Sequence, residues 1–131
     1  MNFFLVPPAL VETIHDEALN PGELQGRARG KSLEAALARV DNRLAYGMIA
    51  DPFDLAAAYA VAIARGHCFN DGNKRTAFRV MQVSLDLHGF ALSESTEEIG
   101  QTIVRVAQGV VEEYDLAAWL RDTATTPKDQ P

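Results

Sequence analysis

Eleven consecutive residues near the middle of the chain concentrate groups suited to handling a phosphate: His67-Cys68-Phe69-Asn70-Asp71-Gly72-Asn73-Lys74-Arg75-Thr76-Ala77. Apolar stretches flank this polar run on both sides, which is an odd place for so many charges. Gly72 and Asn73 read as the entry into a helix. A helix N-terminus offers unpaired backbone N–H groups and a positive dipole end. Lys74 and Arg75 then fall in the first turn, with Arg79 one turn on. Cations there oppose the dipole by about 0.3–1 kcal/mol each, whereas a helix shaped for stability alone carries acids at that end. The pattern makes sense if a polyanion arrives as a ligand, and the phosphates of a nucleotide are the obvious choice.

The remaining groups complete a phosphoryl- or nucleotidyl-transfer set. His67 carries an imidazole that could take a proton from an attacking hydroxyl. Asp71 could hold Mg2+ against the phosphates. Asn73 could donate to a phosphate oxygen, and Phe69 would anchor the loop to the core. Taken singly, each residue is ordinary: a lone His is usually structural and a Lys-Arg pair is usually solvated. The spacing gives the set its weight. A different metal site built on His67 and Asp71 lacks a third ligand nearby. Cys68 reads as a small apolar packing residue.

The elements around this run are helical nearly throughout. Pro7-Pro8 can open a helix to about Leu19, with Leu10, Val11 and Ile14 inward, ended by Asn20-Pro21-Gly22. The Gly- and Arg-rich stretch to Gly30 reads as loop. Ser32 is a candidate N-cap, with Glu34 in the first turn. Leu33, Ala36, Leu37, Val40 and Leu44 follow at helical spacing. Tyr46 to Pro52 reads as a connecting loop or flap. Phe53 to Ala64 is apolar all round, the mark of a buried central helix. Asn73 to His88 resumes as helix, with Val80, Met81, Val83, Leu85 and Leu87 expected to cover most of its surface and Gly89 at the C′ position. Ser95 to Glu98 has capping-box spacing ahead of Ile99, Ile103 and Val106, and Gly109 closes that helix. A last helix spans about Glu113 to Arg121. Val110-Val111 is too short to read as a strand, and His15 and His88 read as structural. Tyr114 and Trp119 read as core or partner-facing residues of the last helix.

Length and composition set the bounds. The chain has 131 residues, 47% of them hydrophobic, enough for one packed domain. We expect that domain at 1–122, with the polar tail 123–131 as flexible chain. The net charge of −6 argues against a nucleic-acid binder that relies on bulk charge. No apolar run approaches the roughly 20 residues that cross a bilayer, and the apolar patch at Met1 to Pro8 lacks the basic flank of a signal peptide. A single cysteine, Cys68, excludes an intrachain disulfide framework. A cytoplasmic protein with no membrane partner is the expectation.

Residues 67–77 resemble the Doc form of the Fic signature, His-x-Phe-x-Asp-Ala/Gly-Asn-Lys-Arg-Thr-Ala. The likeness extends outward through Ile14-His15-Asp16, Leu33 to Tyr46 and Ala60 to Gly66, covering about residues 8 to 121. The resemblance implies an all-α Fic fold of about six helices around a central motif loop and helix. It implies His67 as general base, Asp71 as Mg2+ ligand, and Gly72-Asn73 as part of a phosphate-binding turn. Arg75 aligns with the first arginine of the signature and should contact phosphate. Lys74 stands where AMP-transferring members carry glycine, and in Doc-like proteins this goes with an inverted ATP and transfer of the γ-phosphate. Phe78 occupies the place of the second signature arginine, and Arg79, one residue off, points about 100° away. The resemblance further implies a toxin that modifies elongation factor Tu, a Phd-like antitoxin partner, and a target-aligning flap at Tyr46 to Asp51. Self-inhibited relatives carry a Ser/Thr-x-x-x-Glu-Gly/Asn motif; Ser93 to Glu97 matches its first part, but Glu98 breaks it, so inhibition is expected from another chain. AMP transfer and a catalytically silent interaction module are the competing functions.

Overall fold

A computed structural model describes residues 2–126. Six helices follow in order: α1 (Pro8–Ala18), α2 (Leu33–Ala45), α3 (Pro52–Gly66), α4 (Asn73–Leu87), α5 (Thr96–Ala107) and α6 (Glu113–Thr123). The all-α class and the helix number agree with the sequence expectation.

Helix α3 forms the centre. Asp51 caps it, its Oδ1 accepting from Asp54 N–H at 2.8 Å, and Pro52 takes the first helical position, where a missing N–H does no harm. Such a cap contributes about 1 kcal/mol. Leu55 through Ala64 are all buried, and α2, α4, α5 and α6 each pack against this helix. Its alanines at 56, 57, 58, 60, 62 and 64 present little bulk, so four neighbours fit around one axis.

Ser32 caps α2 through Ala35 N–H at 3.1 Å. Ser95 caps α5 through Glu98 N–H at 3.2 Å. Helix α5 then buries Ile99, Ile103 and Val106 along one stripe. Arg65, at the end of α3, donates to the carbonyls of Val106 and Val111, both at 2.9 Å. That guanidinium ties the α5–α6 junction to the start of the motif loop.

Three expectations need correction. Leu10 does not face the core: it is 36% exposed, and the inward stripe of α1 is Val11, Ile14, His15 and Ala18. The i, i+3, i+4, i+7 stripe runs through a histidine, which polarity alone would place outside. Helix α4 is one-sided, with Ala77, Val80, Met81, Ser84 and Leu85 inward and Leu87 43% exposed. Finally, the chain beyond residue 122 does not leave the fold at once. Thr123 completes α6, and Ala124–Thr125 forms β2, which pairs antiparallel with β1 (Ala91–Leu92). A two-residue pairing is shorter than any alternation a sequence can display. The rest of the expected tail, 127–131, lies outside the described residues.

Candidate active site

The motif loop joins the two most heavily packed helices, α3 and α4. His67 closes α3 in the left-handed region, at φ 50°, and is the one non-glycine there among the described residues. A non-glycine at that conformation stores strain of about 1–3 kcal/mol and points to a functional constraint. Its exposed imidazole makes no hydrogen bond among the described residues. Cys68 and Phe69 then turn inward and are buried, as the sequence reading required of the anchor. The thiol lies 3.6 Å from Ser32 O, and burial pushes its pKa up.

Asn73 holds the loop in shape. Its Oδ1 accepts from Phe69 N–H at 3.0 Å, and its Nδ2 donates to Phe69 O at 2.9 Å. The side chain expected to meet a phosphate is therefore largely committed to the backbone of Phe69. Gly72 supplies the turn into α4, at φ 79°. The backbone angle favours glycine, and a Cβ there would also press on Leu19 Cδ2 at 3.2 Å. Unlike α2, α3 and α5, helix α4 has no side-chain cap and no acid in its first turn. Its leading N–H groups are left for an outside acceptor.

The loop between α1 and α2 lies along the motif as a strap, which the sequence did not reveal. Leu24 N–H donates to Asp71 Oδ2 at 2.8 Å. Asn70 Nδ2 donates to Gln25 O at 2.9 Å, and Asn70 N–H to Gly26 O at 3.1 Å. Arg27 forms an isolated antiparallel bridge with Phe69, and Ala28 N–H donates to Cys68 O at 2.8 Å. Arg27 fixes the strap in turn, reaching Glu12 on α1 and Glu34 on α2, both at 2.6 Å.

Arg75 is also engaged by the protein. Its Nη1 donates to Ala18 O and to Glu23 Oε1, each at 2.7 Å. Hydrogen bonding to Arg75 holds the Glu23 carboxyl below the usual carboxylate range, and the same bond raises the arginine's pKa. Lys74 differs: it is exposed and makes no ion pair among the described residues. Arg79 is exposed as well. Phe78, at the place of the second signature arginine, is half-buried and lines a cleft of about 490 Å3 with Ile103 and Val104, which Lys74 and Arg75 also border.

A polar cavity of about 430 Å3 gathers His67, Asp71, Gly72, Asn73, Lys74 and Arg75 around one space. Every residue expected at the site thus reaches it or, for Phe69, anchors it. No cluster of three or more His, Cys, Asp or Glu capable of holding a metal occurs among the described residues. A lone carboxylate suits Mg2+ that arrives with phosphates, since that ion usually takes one or two protein carboxylates and keeps phosphate and water ligands. Leu24 N–H orients one oxygen of Asp71, and the other has no hydrogen-bond partner among the described residues. Two residues of this neighbourhood were not singled out by sequence as site residues: Glu23, in an apparently featureless loop, and His15, on α1. No helix among the described residues is long and apolar enough to cross a membrane.

An exposed histidine at a strained loop, an uncapped helix start and a buried anchoring phenylalanine thus meet around one polar cavity on an all-α frame. The Fic/DOC family model matches residues 5–85, and the chain belongs to that family. Among its relatives is the "Protein kinase doc" of Escherichia phage P1, 36% identical over 117 residues that cover 88% of this chain and 92% of the relative. Another is "Toxin Doc" of Mycolicibacterium smegmatis, 42% identical over 74 residues, 55% of each chain.

Proposed function

We propose that the chain is the toxin of a type II toxin–antitoxin pair: a kinase that moves the γ-phosphate of ATP to a Ser or Thr hydroxyl of an elongation factor Tu-like protein and so stops translation in the cytoplasm. The observation that carries this reading is Lys74, an exposed cation with no ion pair among the described residues, beside His67 at the uncapped start of α4. Lys74 stands where AMP-transferring relatives carry glycine, and a bulky cation there favours an inverted ATP with its γ-phosphate toward His67. The names of the phage and mycobacterial relatives support a kinase and a toxin. A Phd-like antitoxin belongs to the same reading.

In this mechanism His67 accepts the proton of the target hydroxyl as its oxygen attacks the γ-phosphorus. The new oxygen–phosphorus bond forms as the bond to the β–γ bridging oxygen breaks, releasing ADP. The free N–H groups at the start of α4 and the Lys74 ammonium face the charge on the transferring group. Asp71 would hold Mg2+, which supplies charge neutralisation between the phosphates.

Mass spectrometry of elongation factor Tu incubated with the protein, ATP and Mg2+ tests the proposal. We expect a gain of one phosphate, falling about 10²-fold in rate for Lys74→Gly. An added AMP on wild-type incubation returns the reading to an adenylyltransferase. No modification favours a silent interaction module.

A further inference from the structure

His15 is 1% exposed, and the proposed mechanism gives it no task. Its contacts nonetheless converge on the motif loop. Nε2 lies 2.7 Å from the carbonyl oxygen of Asp71. The ring is stacked on Phe69, with centroids 3.8 Å apart and planes 9° from parallel. Its Cδ2 and Nε2 stand 3.7 and 3.8 Å from the place a Cβ on Gly72 would occupy. One imidazole on α1 therefore supports Phe69, Asp71 and Gly72, residues 54 to 57 positions later in the chain.

The hydrogen bond has a direction and a consequence. A carbonyl oxygen only accepts, so Nε2 carries the hydrogen. The other ring nitrogen is 3.4 Å from the exposed Asp16 carboxylate, which leaves that requirement unchanged. In a planar trans peptide the C=O and the following N–H point opposite ways. Turning Asp71 O toward α1 turns the Gly72 N–H away from α1, on the side where Gly72 lines the polar cavity. Phenylalanine at position 15 would fill the same space and keep the stack, but it would leave Asp71 O without its donor.

We propose that His15 is a positioning residue: it touches no substrate, but it sets the Asp71–Gly72 peptide and thereby turns the Gly72 N–H, at the cap of α4, toward the polyphosphate. The kinetic consequence rests on the phosphate-transfer reading above; the geometric one does not.

Two variants of the full chain separate donor from filler. His15→Phe keeps the ring stack and loses the N–H. His15→Gln loses the ring and keeps an N–H at nearly the same reach. We expect His15→Phe to stay folded, to displace the Gly72 amide resonance in 15N–1H spectra, and to lower kcat for phosphate transfer about 10- to 100-fold. His15→Gln should restore most of that loss and return the Gly72 amide toward its wild-type position, even where its melting temperature is the lower of the two. Lowered melting temperature with unchanged kcat and an unmoved Gly72 amide in His15→Phe would overturn the proposal, because a merely structural residue behaves so. Wild-type protein supplies a check that depends on no variant: 15N shifts of the His15 ring must show hydrogen on Nε2, and an Nδ1–H tautomer overturns the proposal outright. If wild-type protein transfers nothing, the kinase reading fails alone. The Gly72 amide response to ATP with Mg2+, present in wild type and lost in His15→Phe, still decides the positioning role.

Discussion

Glu23 and Arg75 meet head to head, carboxylate against guanidinium, across 52 residues of sequence. The arginine that the motif offers to phosphate is thus also a brace between α4 and the end of α1. The pair makes part of the fold's stability depend on pH. Hydrogen bonding to Arg75 holds the Glu23 pKa below the usual carboxylate range, so the folded state favours the charged form. The resulting stability is fully present above the unfolded value and is lost as pH falls through the lower folded value. Glu23→Gln should therefore unfold at lower denaturant than wild type at pH 7. The gap between them should close under acid conditions, below about pH 4. Urea titrations at the two pH values check this; a gap that persists in acid would mean the carboxylate charge is not what braces Arg75.

His67 predicts a separation of stability from activity. His67→Ala should lower the transfer rate about 10²–10⁴-fold while the helical circular dichroism stays unchanged. His67→Gly should be equally inactive yet more stable than His67→Ala by about 1 kcal/mol, because glycine adopts φ 50° without a Cβ penalty. Growth arrest by either variant at the wild-type level would remove His67 from the mechanism.

For Asn73 the expected result is a loss of stability first. Asn73→Ala leaves the N–H and C=O of Phe69 without their clamp, at a cost of about 1–3 kcal/mol. Thermal melts should show it, and hydrogen exchange at Phe69 should speed up. An unchanged melting temperature would return Asn73 to the role of a simple phosphate donor.

Much of this was legible from the sequence. Periodicity marks α3 as buried all round and α5 as striped by Ile99, Ile103 and Val106, and the fixed spacing of residues 67–77 marks the site. What sequence could not supply is partnership. Asn73 and Arg75 have the chemistry of phosphate donors, but only the folded chain shows one holding Phe69 and the other held by Glu23. His15 looked like a lone structural histidine because the atom it serves, the carbonyl of Asp71, has no signature in any residue type. Leu10 and Val11 are equally apolar, and the helical phase that separates them is set by His15 on the inner stripe. The strap was invisible because most of its bonds to the motif involve backbone groups.

The strap also changes what kind of connection residues 23–28 form. Surface loops ordinarily accept insertions and deletions with little harm. Here Glu23 through Ala28 meet successive partners running backward from Arg75 and Asp71 to Cys68. Adding or removing one residue would slide every later partner out of register and uncouple Leu24 from Asp71 or Ala28 from Cys68. By chain length, this stretch is as constrained as a strand inside a sheet, so natural length variation in the α1–α2 connection has room only outside it, at residues 20–22 and 29–31.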